Sequence, residues 1–286
     1  MRPRRSVLYM PAANERALEK AKTIPADAII FDLEDAVAPD AKVAARANAI
    51  AAAGSGEYGQ RELTIRCNGL DTPWGADDIV AAATSGAAAV VIPKVSSVAY
   101  LDDISARLDA AGAPPELSIW AMIETPTAIF DVRAIAAHPR VAVLVMGTND
   151  LARELRSSLS AIGRHPLVPH LAVSLAAARE ADVVILDGVY NDVKDPDGFR
   201  VECIQGAEMG FDGKTLIHPG QVEIANDVWA PTDDEISFAR RVIAAFNEGL
   251  AEGRGVITVD GRMIENLHVA NAERTLAVAD AIAAQS

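Results

Sequence analysis

Short apolar, β-branched runs alternate with longer Ala- and Leu-rich segments of helical period from the N-terminus to about residue 230, the signature of repeated βα units. Strand candidates are Ser6–Met10, Ala28–Leu33, Leu63–Arg66, Ala88–Ile92, Leu117–Ile123, Val141–Met146, Val183–Leu186 and Thr215–Ile217, each followed by a helix candidate. Eight such units in one chain point to an α/β fold of the closed (β/α)8 TIM-barrel type over residues 1–230. The alternative, an open doubly wound sheet, lacks a GxGxxG after the first strand. Half of the residues are apolar but only 5% are aromatic, so the interior is expected to be Ala, Val, Ile and Leu, as buried parallel strands require. Asn14 reads as the N-cap of a helix over Glu15–Lys22, and Asp40 as that of one over Lys42–Ala53. Beyond Pro231 the pattern changes to two helices, about Asp233–Glu252 and Ala270–Ala284, joined by Gly253–Asn266. Residues 231–286 therefore read as a C-terminal helical lid, or an arm reaching a neighbouring subunit.

A formal charge of −14 argues against a nucleic-acid or anionic-membrane binder, because either needs a basic face. An anionic substrate must instead meet a local cluster of Arg and Lys. Cys67 and Cys203 form no CxxC pair, and the start Met1-Arg2-Pro3-Arg4-Arg5 is followed by too few apolar residues for a signal peptide. No run approaches the length of a membrane span. A soluble protein of the reducing cytoplasm is the expectation.

A barrel of this kind builds its active site at the C-terminal ends of the strands, and ionisable residues fall there repeatedly. The second strand ends Asp32-Leu33-Glu34-Asp35, the third Arg66-Cys67-Asn68-Gly69 and the fourth Pro93-Lys94. The fifth ends Glu124-Thr125-Pro126, the sixth Gly147-Thr148-Asn149-Asp150 and the seventh Asp187-Gly188.

Glu124 and Asp150, acids on neighbouring strands, would repel unless a cation lay between them, and Mg²⁺ accepts such a site. Alternatively each caps the helix after its strand or pairs with Lys94. Arg66 should project into the mouth and can grip a substrate carboxylate bidentately, or else pair with a rim acid such as Glu34. Asp32 and Glu34 share strand parity and, with Asp35, read as groups supporting the site from behind. Lys94 can form a Schiff base with a keto substrate or balance the carboxylates. His218 is an acid/base candidate or a rim histidine bonded to backbone. Arg16 and Lys20 share a face of the first helix, which meets phosphates or water.

These segments, in order, resemble the citrate lyase β-subunit family, which includes malyl-CoA lyases and (3S)-malyl-CoA thioesterase-like members. The matching pieces are Arg5-Ser6-Val7-Leu8-Tyr9, Phe31-Asp32-Leu33-Glu34-Asp35-Ala36-Val37, Ile65-Arg66-Cys67-Asn68-Gly69, Ile92-Pro93-Lys94, Ile123-Glu124-Thr125-Pro126, Gly147-Thr148-Asn149-Asp150-Leu151, Asp187-Gly188-Val189-Tyr190 and Lys214-Thr215-Leu216-Ile217-His218-Pro219. The resemblance implies an Mg²⁺-dependent homo-trimer or homo-hexamer acting on an acyl-CoA. In it Glu124 and Asp150 hold the metal, Arg66 holds the substrate, and Lys20 with the start of the first helix lies near the CoA. One departure stands out: family members carry a Gly-Lys-Met-Ile-Asp-type motif whose aspartate serves proton transfer in an adjacent subunit's site. Here the stretch reads Gly261-Arg262-Met263-Ile264-Glu265, and Glu is longer by about 1.5 Å, one C–C bond. The expected reaction is cleavage of a malyl-CoA-like 3-hydroxyacyl-CoA to a glyoxylate-type 2-oxoacid and acyl-CoA, with Glu265 as proton source. Hydrolysis of the thioester to malate and CoA stands nearly level with it. A citrate-lyase-like subunit needing an acyl carrier, and a pyruvate-type aldolase without CoA, are the remaining alternatives.

Overall fold

The computed structural model of the chain describes residues 2–159, 163–251 and 255–285. Eight strands, β1 (Ser6–Pro11), β2 (Ala28–Asp32), β3 (Glu62–Arg66), β4 (Ala89–Ile92), β5 (Ser118–Ile123), β6 (Val141–Met146), β7 (Val184–Asp187) and β8 (Gly213–Leu216), close into a parallel barrel in chain order. Strand β8 returns to pair with β1, so no edge is left open. The ends agree with those read from the sequence to within about two residues. Around the barrel run α1 (Glu15–Ala21), α2 (Lys42–Gly54), α3 (Gly75–Ala82), α4 (Val98–Ala110), α5 (Pro126–Ala136), α6 (Thr148–Glu154), α7 (Val168–Glu180), α8 (Pro196–Met209) and α9 (Val222–Val228).

Strand alternation decides what fills the lumen. Val7 of β1, Ala28 and Ile30 of β2, Ala89 and Val91 of β4, Trp120 and Met122 of β5, Val143 and Val145 of β6 and Leu186 of β7 form one buried cluster, with Tyr9 packed on it. At the N-terminal foot Arg4 pairs with Glu62 at 2.6 Å and lies 5.4 Å from the Trp120 ring. Trp120 is thus the plug of the lower layers, in a lumen cluster otherwise built of Ala, Val, Ile, Leu and Met with Tyr9 packed on it.

Asn14 caps α1 as expected, its Oδ1 accepting from Ala17 N at 3.1 Å. Asp40 does not cap α2: it lies in a 3-10 turn, Pro39–Ala41, and the N-cap position falls on Ala41. The Pro39 ring starts the turn one residue early, and α2 grows directly out of it.

Arg4–Val228 form one compact unit, and residues 229–286 with the first three form another. In the second unit α10 (Asp233–Ala251) and α11 (Asn266–Ala283) are joined by a hairpin of β9 (Ile257–Val259) and β10 (Arg262–Ile264). The hairpin and the earlier start of α11 correct the plain connection expected there. Asp260 and Gly261, both at positive φ (49° and 76°), make its two-residue turn. Val242, Phe246, Ile257, Val259 and Ile264 are the heart of this unit's own core. The expected helix end Glu252, the linker start Gly253 and Met1 of the basic start lie outside the described residues. Among the described residues no helix is long and apolar enough to cross a membrane.

Candidate active site at the barrel mouth

The parity that fills the lumen also carries the polar residues into its mouth. Asp32 follows Ile30, Glu124 follows Met122 and Tyr9 follows Val7 at two-residue steps, and Asp32 and Arg66 are register partners on β2 and β3. Arg66 is buried and fully engaged: Nε and Nη2 donate to the two Asp32 oxygens at 2.6 and 2.7 Å. Its Nη1 meets Glu34 at 2.8 Å and Asp35 at 3.5 Å. The guanidinium lies 4.7 Å from the centre of the Tyr9 ring. Arg66 therefore stands in the rim ion pair that was the alternative to a free grip, with Asp32 as a fixed fork and Glu34 as the more replaceable partner.

Lys42, which sequence reasoning passed over, supports this cluster from behind. Its buried Nζ donates to the carbonyls of Leu33 and Glu34 and to Asn68 Oδ1, at 2.7–2.8 Å. Asn68 is held in turn by Asp78, and Asp78 by Arg46. A lysine in the first turn of an Ala-rich helix looks like solvated charge. The signal that was available is its place just past a strand end with several exposed-looking carbonyls to satisfy.

Glu124 is 3% exposed and belongs to no ion pair among the described residues. It caps no helix: Thr125 does that for α5, accepting from Ala128 N at 3.1 Å. Its carboxylate accepts one hydrogen bond, from the backbone N–H of Lys94 at 2.7 Å. Burial pushes its pKa up to about 8, aided by Glu34 and Asp150 and opposed by the Lys94 N–H and Arg66. Glycine at 147 is required here, because a Cβ there would stand 2.4 Å from that of Glu124. Asp150 lies in the first turn of α6, where the helix N-terminus favours an acid, and contacts Arg153 at 2.7 Å.

Lys94 adopts a left-handed backbone (φ 49°), which turns its N–H onto Glu124. Its half-exposed side chain reaches 3.7 Å from Glu34. Burial works against the ammonium, but Glu34, Glu124 and Asp150 outweigh it and raise the pKa. A charged lysine suits charge balance and opposes Schiff-base formation, which needs the neutral amine.

The remaining expected residues divide. Arg16 and Lys20 are exposed on α1. His218 is bonded to backbone, its Nδ1 accepting from Gly220 N at 3.0 Å. Asp187 is withdrawn from the mouth into a buried cluster with Lys214 (2.9 Å) and Arg164, beside Glu202 of α8. Glu265 belongs to the second unit, as the N-cap of α11, with its backbone N–H on His268 Nδ1 at 3.0 Å.

The donors present suit Mg²⁺. Among the described residues no three acidic, histidine or cysteine side chains gather as a cage, so a cation would rest on Glu124 and Asp150 with water and substrate oxygens completing the set. A buried carboxylate facing two other acids without a cation of its own is the feature that such an ion relieves.

Comparison with known proteins gives one consistent picture. Residues 5–219 match the family described as HpcH/HpaI aldolase/citrate lyase. The chain is 52% identical to a (3S)-malyl-CoA thioesterase from Cereibacter sphaeroides, over 99% of this chain and 96% of that protein. It is 33% identical to an L-malyl-CoA/beta-methylmalyl-CoA lyase from Rhodobacter capsulatus, over 94% and 92%. Among solved structures it resembles CitE from Mycobacterium tuberculosis in complex with magnesium, acetoacetate and coenzyme A, with TM-score 0.79 and 28% identity over 96% and 97%.

Proposed function

Because the chain belongs to the HpcH/HpaI aldolase/citrate lyase family, we propose that it is a magnesium-dependent enzyme that hydrolyses a malyl-CoA-like thioester to malate and CoA. The observation that carries this reading is Glu124, a buried carboxylate left without a counter-ion beside Glu34 and Asp150. Glu124 and Asp150 would hold the metal, which when bound supplies positive charge to the substrate's carboxylate and hydroxyl oxygens. Arg66 keeps its fork on Asp32 and turns the Nη1 edge from Glu34 to the substrate carboxylate. Glu34, so released and already raised in pKa by burial against the pull of Arg66, is placed to take the proton of the attacking water. Lys94 keeps the excess of acids in check.

Hydrolysis takes precedence over carbon–carbon cleavage because the thioesterase relative is 52% identical and the lyase 33%. Cleavage to a glyoxylate-type 2-oxoacid is the second reading, favoured by that lyase match over nearly the whole chain. In either case Arg16 and Lys20 offer exposed cations to the CoA phosphates. Residues 231–286 form an arm contacting a neighbouring subunit of a homo-trimer or homo-hexamer, and Glu265 is its proton-transfer group. The enzyme works in the reducing cytoplasm, with Cys67 and Cys203 as buried thiols.

Malyl-CoA incubated with the enzyme and Mg²⁺ should release free thiol and malate in equal amounts, without glyoxylate, and EDTA should stop it. Glyoxylate in step with acetyl-CoA would replace hydrolysis by cleavage, and turnover that survives EDTA would remove the metal from the scheme.

A further inference from the structure

Tyr9 crosses the floor of the mouth. It leaves β1 two residues above Val7, packs on the lumen cluster, and extends its hydroxyl to within 4.0 Å of Met122 Sδ on β5, the strand on the far side of the barrel. Arg66 lies against one part of its ring, and Glu124 begins two residues beyond Met122. The phenol therefore spans the gap between the residue assigned to the substrate carboxylate and the one assigned to the metal. The residue as a whole is partly exposed.

Its hydroxyl is poorly matched where it stands. A thioether is a weak acceptor, and 4.0 Å is the outer limit of such a contact. Of the neighbouring donors, Arg66 is committed to Asp32 and Glu34, the Lys94 backbone N–H to Glu124 and the Glu34 and Ala36 N–H groups to Asp32, while the half-exposed Lys94 ammonium stands 3.7 Å from Glu34. A reaction at a thioester carbonyl needs a donor for the oxygen on which charge develops.

We propose that Tyr9 is a catalytic residue whose O–H donates a hydrogen bond to the thioester carbonyl oxygen. This rests on the thioester reading above. As the water oxygen bonds to the carbonyl carbon, the π pair moves onto the carbonyl oxygen, where the phenol meets it. As that pair returns, the C–S bond breaks and the thiolate leaves with the electron pair, taking up the proton the water gave. The phenol keeps its own proton throughout, which suits its surroundings: burial raises its pKa, and the acids around it add to this against Arg66. The same oxygen carries the charge of an enolate if the carbon–carbon bond is broken instead, so the role holds for both reactions.

The test is Tyr9→Phe in the full-length magnesium-loaded protein, which removes one oxygen and leaves the ring beneath Arg66. Turnover of malyl-CoA should fall about 100-fold in kcat, with KM and thermal midpoint near wild type, as for loss of one oxyanion donor. Acetyl-CoA labelled with 13C at its carbonyl gives a readout without turnover: bound to wild type, its C=O stretch should lie at lower frequency than when bound to Tyr9→Phe. A kcat within threefold of wild type, or the same carbonyl frequency on both proteins, overturns the role of Tyr9. Wild-type protein that shifts the carbonyl band yet turns over no malyl-CoA would instead overturn the substrate reading and leave Tyr9 in place.

Discussion

Glu124→Gln isolates the electrostatic tension at the mouth. In the metal-free protein burial, with help from Glu34 and Asp150, raises the Glu124 pKa from 4.5 to about 8. Below pH 4.5 the folded and unfolded chains both hold this proton. Above it the unfolded chain releases the proton while the folded chain retains it to about pH 8, so stability falls as pH rises through that window. Each tenfold change in proton affinity corresponds to about 1.4 kcal/mol, so the whole rise represents about 5 kcal/mol, of which roughly 3 kcal/mol falls between pH 5.5 and 7.5. Glutamine copies the protonated form and has no such slope. Urea unfolding followed by tryptophan fluorescence, to which Trp120 buried inside the barrel contributes, should show wild type in EDTA losing roughly 3 kcal/mol more than Glu124→Gln across that interval. Saturating Mg²⁺ should abolish the difference, because the ion replaces the proton. Equal slopes in the two proteins, or a wild-type slope that Mg²⁺ leaves untouched, would refute the reasoning.

Two further outcomes follow from neighbouring residues. Gly147→Ala sets a methyl 2.4 Å from Glu124 Cβ; it should lower magnesium-dependent turnover at least 100-fold, on the order of the loss for a 1 Å misplacement, and calorimetric titration should show weakened Mg²⁺ binding. Asp187→Asn leaves Lys214 and Arg164 short of an anion inside the protein; it should cost about 3–5 kcal/mol in chemical denaturation, while kcat per folded molecule at low temperature stays near wild type.

Much of the barrel was legible because its period is enforced by burial. A strand covered on both faces must be apolar throughout, so a charge at its end is conspicuous, and Asp32, Arg66, Lys94 and Glu124 were all found that way. What pairs with what was not legible. Whether Arg66 meets a substrate or Asp32 depends on rotamers and on register between strands far apart in sequence, and Glu34 satisfies the same pattern in either arrangement. Lys42 was hidden because its role lies in reaching carbonyls across a loop, which leaves no periodic trace. Asp187 shows the converse error of reading every strand-end acid as a mouth residue. The hairpin after α10 carried a plain Asp-Gly turn signal, but its strands are three residues each, too short for alternation to announce them.

The plugged lumen has a consequence for how such a protein can change. With Trp120 and its neighbours packed in the cylinder, a layer of buried side chains separates the Arg4–Glu62 clasp at the foot from the acids at the opposite end. Substitutions at the foot therefore act on durability, and substitutions in the loops at the rim act on selectivity. The two can be varied by independent selection, so a hardier scaffold and a new acyl preference can be sought in parallel libraries and then combined.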